Sequence, residues 1–197
     1  MPPRLGVFGG TFDPPHIGHL VAAVNARYAL GLDRVLFVVA NEPWQKVGAR
    51  PVSPAAVRLE MVRAAVEGVE GLEPSDLEIK RGGPSYTVDT LDELASMNPG
   101  CELFLILGWD AASSINTWER AERLASLASI VVVDRPHSEP LQLPTGWTWT
   151  HVDIPQLDIS STDLRRRVGE GRPIDFLVPP GVISCIAEHC LYRDELI

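Results

Sequence analysis

Cysteine is scarce in this chain. The three residues present, Cys101, Cys185 and Cys190, are too few and too irregularly spaced for a disulfide framework, which favours a reducing, cytoplasmic setting. Long hydrophobic runs are lacking too. No stretch reaches the ~18 apolar residues of a membrane helix, so no membrane partner is expected. The opening Met-Pro-Pro-Arg carries no signal-peptide core. Positive charge is in deficit, with 17 lysines and arginines against 26 aspartates and glutamates and a net charge of −9. Wide, sequence-independent binding to nucleic acid needs a basic face, so no nucleic-acid partner is expected. A small anionic ligand stays compatible, because a few local cations suffice. Internal repeats, low-complexity tracts and domain linkers are absent, and the oligomeric state stays open.

What is present suits a packed core. Of 197 residues, 45% are hydrophobic, which fits one domain spanning residues 1–197. Leu5 to Phe8 reads as a short buried strand. A helix over about His16 to Leu30 follows, with Ile17, Leu20, Val21, Val24 and Tyr28 at helical spacing and Gly31 as its stop. Arg34 to Ala40 is apolar and β-branched, as in a parallel strand covered on both faces. A second helix starts at Ser53-Pro54, read as N-cap and first helical position, and places Val57, Met61, Ala64 and Ala65 inward. Leu77 to Lys80 is predicted as the third strand, with a turn at Arg81-Gly-Gly-Pro. A helix opening at Ser85 or Thr87, a strand over Leu103 to Leu107, a broken helical stretch and a strand over Ile130 to Val133 come next. Pro-rich surface chain over His137 to Thr145 leads to an edge strand over Trp147 to Val152, and helices follow at Ser160-Ser161-Thr162 and over Gly181 to Cys190. Strands alternating with helices predict an α/β, doubly wound, Rossmann-like parallel sheet, whose ligands bind outside the carboxyl ends of the strands.

The opening stretch, Gly9-Gly-Thr-Phe-Asp-Pro-Pro-His-Ile-Gly-His19, joins an apolar strand to a helix start. Free N–H groups at such a start attract anions, and glycines let a phosphate approach the backbone. It is neither a lysine P-loop, which needs Gly-Lys-Ser/Thr, nor the dinucleotide fingerprint, whose glycine spacing differs. A bland reading makes the glycines a tight turn and the histidines surface residues. The functional reading makes His16 and His19 neutral donors to a phosphate as charge builds on it, since phosphoryl transfer needs mostly positioning and charge stabilisation. Asp13, His16 and His19 as metal ligands would lack a fourth soft ligand and a zincin glutamate. The second constellation, Ile159-Ser-Ser-Thr-Asp-Leu-Arg165, is an ordinary cap on one reading. On the other, hydroxyls, helix N–H groups and Arg165 face a triphosphate tail. Cys185 and His189, one turn apart in an apolar helix, read as core and surface, and Arg165-Arg-Arg167 reads mostly as a solvated face.

His16-Ile-Gly-His19 is the signature of a nucleotidyl-transfer superfamily, and the two constellations in this order resemble bacterial nicotinate-nucleotide adenylyltransferases over nearly the whole chain. The resemblance implies transfer of AMP from ATP to nicotinate mononucleotide, giving nicotinic acid adenine dinucleotide and pyrophosphate. It implies catalytic roles for His16 and His19. ATP would be held by Gly9, Gly10, Thr11, Phe12, Lys46 (in a mobile loop, Pro43 to Lys46), Gly108, Asp110, Ile159, Ser160, Ser161, Thr162 and Arg165. The nicotinate nucleotide would be held by Ser85, Tyr86, Thr87, Trp118 and Arg135. Trp118 can stack on a flat ring, and N–H groups near Tyr86 and Thr87 can hold a carboxylate. The bland readings are core for Trp118 and surface cap for Tyr86. Mg²⁺ is implied as well, carried mainly by the phosphates. One departure is Trp109, between Gly108 and Asp110, where a smaller residue is expected.

Rival readings share the opening motif. Pantetheine-phosphate adenylyltransferases are shorter and should lack the Ser85-Tyr-Thr87 segment with Trp118. A class I aminoacyl-tRNA synthetase would need a longer chain and a Lys-Met-Ser-Lys-Ser run. A catalytically silent nucleotide-binding regulator would not need the intact histidine pair with Lys46 and Arg165.

Overall fold

The computed structural model describes residues 1–43, 51–134, 147–155 and 157–193. Lys46, Arg135 and the Pro-rich stretch from His137 lie outside the described residues. The chain opens with strand β1 (Arg4–Gly10), helix α1 (Ile17–Leu30) and strand β2 (Arg34–Val39). Helix α2 (Ala55–Val66), strand β3 (Leu72–Ser75), and helices α3 (Leu77–Arg81) and α4 (Thr87–Met97) follow. Then come strand β4 (Glu102–Gly108), helix α5 (Trp109–Ser113), two 3₁₀ turns, helix α6 (Leu124–Leu127) and strand β5 (Ser129–Asp134). The last elements are strand β6 (Trp149–Asp153), helix α7 (Ser161–Gly169) and helix α8 (Pro180–Glu188).

The described strands form one parallel sheet in the order β3-β2-β1-β4-β5-β6. This is the doubly wound arrangement that strand–helix alternation predicts. The central strands are apolar on both sides because both sides are covered. Phe8, Phe37, Ile106 and Val131 join α1 and α2 in one buried cluster. Val7, Leu36, Leu105 and Ile130 join α4 and α6 in another. A third cluster lies behind α2, where α7, α8 and Tyr192 pack on Met61 and Ala65. The order in which strands are added across the sheet reverses between β1 and β4, which run parallel, opening a crevice at their carboxyl ends.

Three local expectations are corrected. Leu77 to Lys80 is a helix, and the third strand is Leu72–Ser75. Pro74 is compatible with strand because, among the described residues, β3 is an edge strand that pairs only with β2. Glu78 instead turns inward to accept from the Thr90 hydroxyl at 2.5 Å. Helix α1 meets the sheet through Ala22, Ala23 and Ala26, while Val24 and Tyr28 are exposed. The rings of Phe8, Phe12 and Phe37 occupy that side of the sheet, with centroids 5.4–5.9 Å apart. Methyl groups fit the remaining space. Helix α2 takes Pro54 as its N-cap rather than Ser53. The Ser53 backbone is engaged elsewhere: its N–H donates to Asp13 and its carbonyl accepts from Arg58.

Candidate active site

The crevice at the ends of β1 and β4 holds a cleft of about 1070 Å³. It is roomy for a drug-sized ligand. Its floor is the turn that β1 feeds into α1. Gly9, Gly10, Thr11 and Phe12 line it, followed by His16, Gly18 and His19. A Cβ on Gly10 would meet the Phe12 ring at 2.8 Å, so glycine is what lets the turn close over that ring.

The two histidines form a unit. His16 is the N-cap of α1, and its N–H donates to His19 Nδ1 at 3.1 Å. That bond assigns the proton of neutral His19 to Nε2. The rings stack 3.7 Å apart at 28°, and Phe12 meets His19 edge-on at 5.1 Å. His16 is only 8% exposed, and burial lowers its pKa from the ordinary 6.5 to about 4. It is therefore neutral at pH 7, with Nδ1 unpartnered among the described residues. Stacked imidazoles at the partly positive start of a helix suit hydrogen-bond donation to an anion better than ligation of a cation. Asp13 does not complete a metal set, since its carboxylate accepts from Tyr192 and Ser53. Among the described residues no three acids, histidines or cysteines gather to hold a metal ion.

A second helix N-terminus faces the same space. Ile159, Ser160, Ser161, Thr162 and Arg165 all line the cleft. Ser160 caps α7 by accepting from the Asp163 N–H at 3.1 Å. Ser161 and Arg165 also brace the opening turn. The Ser161 hydroxyl donates to Pro14 O at 2.9 Å, and Arg165 Nη1 donates to Asp13 O at 2.9 Å. Arg165 Nη2 donates to Thr162 Oγ1 at 3.2 Å. Two helix starts therefore present partial positive charge to one cleft.

The remaining wall comes from β4 and α4. Gly108, Trp109 and Asp110 line it where β4 runs into α5, and Trp118 stands farther along. Trp118 packs partly on the cluster under β4 and β5, and its indole N–H is buried without a partner among the described residues. Ser85 and Thr87 line the cleft at the start of α4, whereas Tyr86 does not and is the helix's N-cap. Ser85 is tied to the segment after β2. Its hydroxyl accepts from Asn41 N–H at 2.8 Å, and its N–H donates to Glu42 O at 3.0 Å.

Several contributors escape sequence reasoning. Arg58 is 1% exposed, and its guanidinium donates to the carbonyls of Ser53, Thr11 and Asn41 at 2.8–3.0 Å. Its signal is a charge among the apolar positions of α2, which reads more readily as a solvent-facing residue. Glu78 lines the cleft beside Ser85, hidden by the strand prediction. Ile154, Pro155 and Leu157 form an apolar rim between β6 and α7 that no motif marks.

Residues 7–167 match the cytidylyltransferase-like family model, a span that includes all of these walls. A "Probable nicotinate-nucleotide adenylyltransferase" of Desulfitobacterium hafniense (strain Y51) is 45% identical, covering 98% of this chain and 97% of that protein. A namesake in Thermus thermophilus is 48% identical, covering 96% of this chain and 100% of that one. Among solved structures, the nicotinic acid mononucleotide adenylyltransferase of Plasmodium falciparum complexed with NaAD superposes with a TM-score of 0.78. At 19% identity over 99% of this chain and 100% of that one, it supports the fold.

Proposed function

The chain belongs to the nicotinate-nucleotide adenylyltransferases of the cytidylyltransferase-like family, and from that premise we propose how its cleft works. The enzyme transfers AMP from ATP to nicotinate mononucleotide, giving nicotinic acid adenine dinucleotide and pyrophosphate in NAD biosynthesis. Residues 1–197 act as one nucleotidyltransferase domain. A 5′-phosphate oxygen of the mononucleotide forms a bond to the α-phosphorus of ATP. The bond from that phosphorus to the bridging oxygen of the β-phosphate breaks on the opposite side. No residue is covalently modified.

The observation that carries this reading is the stacked pair His16–His19 at the start of α1, facing the start of α7. The imidazoles donate to the α-phosphate oxygens, and donors fixed before the reaction need no reorganisation as charge grows there. Thr11, Ser160, Ser161, Thr162 and Arg165 hold the phosphate tail, with the N–H groups of α7 contributing. Gly108 and Asp110 hold the ATP sugar side. Trp118 stacks on the pyridine, and Ser85 and Thr87 at the start of α4 hold its carboxylate. A nicotinamide would leave those donors partly unpaired, which lowers its affinity.

The donor set fits Mg²⁺ carried by the phosphates. The cleft offers N–H groups, hydroxyls and a guanidinium, with Asp110, two residues past the end of β4, as an exposed carboxylate lining it. Such a cation would neutralise triphosphate charge and favour departure of pyrophosphate.

The test is a paired rate measurement with ATP and each of nicotinate mononucleotide, nicotinamide mononucleotide and pantetheine phosphate, read as pyrophosphate release. Nicotinate mononucleotide should be the best acceptor, ahead of the nicotinamide form by about tenfold or more. ATP alone should release none. Equal rates with the two mononucleotides would refute carboxylate recognition, and a preference for pantetheine phosphate would refute the acceptor.

A further inference from the structure

Beneath the opening turn lies a buried bond between residues 179 positions apart. Tyr192 is 9% exposed and reaches across α2, where its hydroxyl lies 3.9 Å from Met61 Sδ. The hydroxyl donates to Asp13 Oδ1 at 2.6 Å, while the Ser53 N–H donates to Oδ2 at 3.3 Å. Asp13 is 1% exposed and lies three residues before His16.

The backbone bends to make this contact. After α8, Cys190 has φ +52° and Tyr192 has φ +63°, both in the left-handed region that residues with a Cβ rarely adopt. Two such residues within three positions persist only where surrounding contacts hold them. Here the contacts are the third core cluster and the Asp13 carboxylate. The same turn is gripped on its backbone by Arg58 at Thr11 O, by Arg165 at Asp13 O and by Ser161 at Pro14 O. Unlike these three supports, Tyr192 comes from beyond α8, and it takes the turn by its side chain.

We infer that Tyr192 is a positioning residue for adenylyl transfer. Through Asp13 it latches the turn that carries His16 and His19, so the chain's last described turn helps set the register of the imidazoles against the α-phosphate. The catalytic part of this inference rests on the function proposed above. The latch itself is a property of the ligand-free protein. Without the hydroxyl, the buried carboxylate loses a charge-assisted hydrogen bond and the turn gains freedom, and small displacements of positioned groups are costly to rate.

Tyr192→Phe in the full chain tests this with two readouts, beside Tyr28→Phe as an exposed control. The first is amide hydrogen exchange over residues 11–19 without nucleotide, which should quicken about fivefold or more while β4 stays at its wild-type rate. The second is steady-state kinetics well below the melting temperature. There kcat should fall about tenfold while both KM values stay within about twofold. A support that merely adds stability would lower the melting temperature and leave kcat untouched. Unchanged exchange, or a wild-type kcat, would overturn the inference. If Tyr192→Phe does not fold, Asp13→Asn carries the same two readouts from the other side of the bond. The exchange arm needs no turnover, so a wild-type protein without activity would refute the proposed function and still leave the latch to be decided.

Discussion

Replacing His16 by asparagine should make the protein less sensitive to acid. His16 is 8% exposed, and burial holds its pKa at about 4 instead of 6.5. Above pH 6.5 the imidazole is neutral both folded and unfolded, so it adds no pH dependence. As pH falls below 6.5 the unfolded chain takes up a proton that the folded chain refuses until about pH 4. The unfolded state is thereby favoured, and folding stability drops across that window. With these two pKa values the loss is about 2 kcal/mol at pH 5 and levels off at about 3 kcal/mol below pH 4. Asparagine does not titrate, and it is a good helix cap at the N-cap position that His16 occupies. Urea unfolding of both proteins at pH 7.5 and pH 5 gives the measurement. Wild type should lose about 2 kcal/mol more than His16→Asn between the two conditions, whatever their absolute stabilities. Parallel losses would show that the imidazole is not desolvated in the folded chain, and the argument for a permanently neutral donor would fall with it.

Two further outcomes follow from the same geometry. A Cβ at Gly18 would stand 3.0 Å from His16 Nδ1, so Gly18→Ala should turn the imidazole and lower kcat about tenfold or more. Alanine favours a helix over glycine by up to about 1 kcal/mol, so the melting temperature should not fall, and an unchanged kcat would refute the crowding argument. Chelation should abolish pyrophosphate release, restored by added Mg²⁺, while leaving the melting temperature of the nucleotide-free protein unchanged. A drop in that temperature would point to a protein-held metal instead.

The legible parts of this chain are those whose signal is local. Arg34 to Val39 reads as an interior parallel strand because its side chains are apolar on both faces. Gly31 reads as a helix stop because it adopts φ +58° there. The carboxyl-end rule for doubly wound sheets then brings His16, Asp110 and Ser161 toward one crevice from three distant segments. What stays hidden depends on contacts across the chain. Leu77 to Arg81 alternates like a strand, yet Glu78 finds Thr90 twelve residues on and the backbone coils. The inward face of α1 departs from its apolar periodicity because phenylalanines from β1, β2 and the opening turn fill the space that larger side chains would need. Arg58 and Tyr192 cannot be read as supports of the opening turn, since their partners in it, Thr11 and Asp13, lie 47 and 179 residues away.

The sheet order also sets a timetable for synthesis. Residues from Arg4 to Ser75 leave the ribosome before β4, β5 and β6 and contain β1, β2 and β3, half of the described sheet in neighbouring positions. During that interval one flank of β1, including the backbone of Leu5 to Val7, awaits β4. That flank is an open, apolar strand edge, the kind that pairs with the wrong chain when crowded. It closes only after Leu105 has emerged, and the phosphate side of the cleft waits longer still, until α7 follows. A nascent chain halted between Ser75 and Glu102 would therefore hold both histidines and no working cleft, and that interval is where a chaperone would have most to protect.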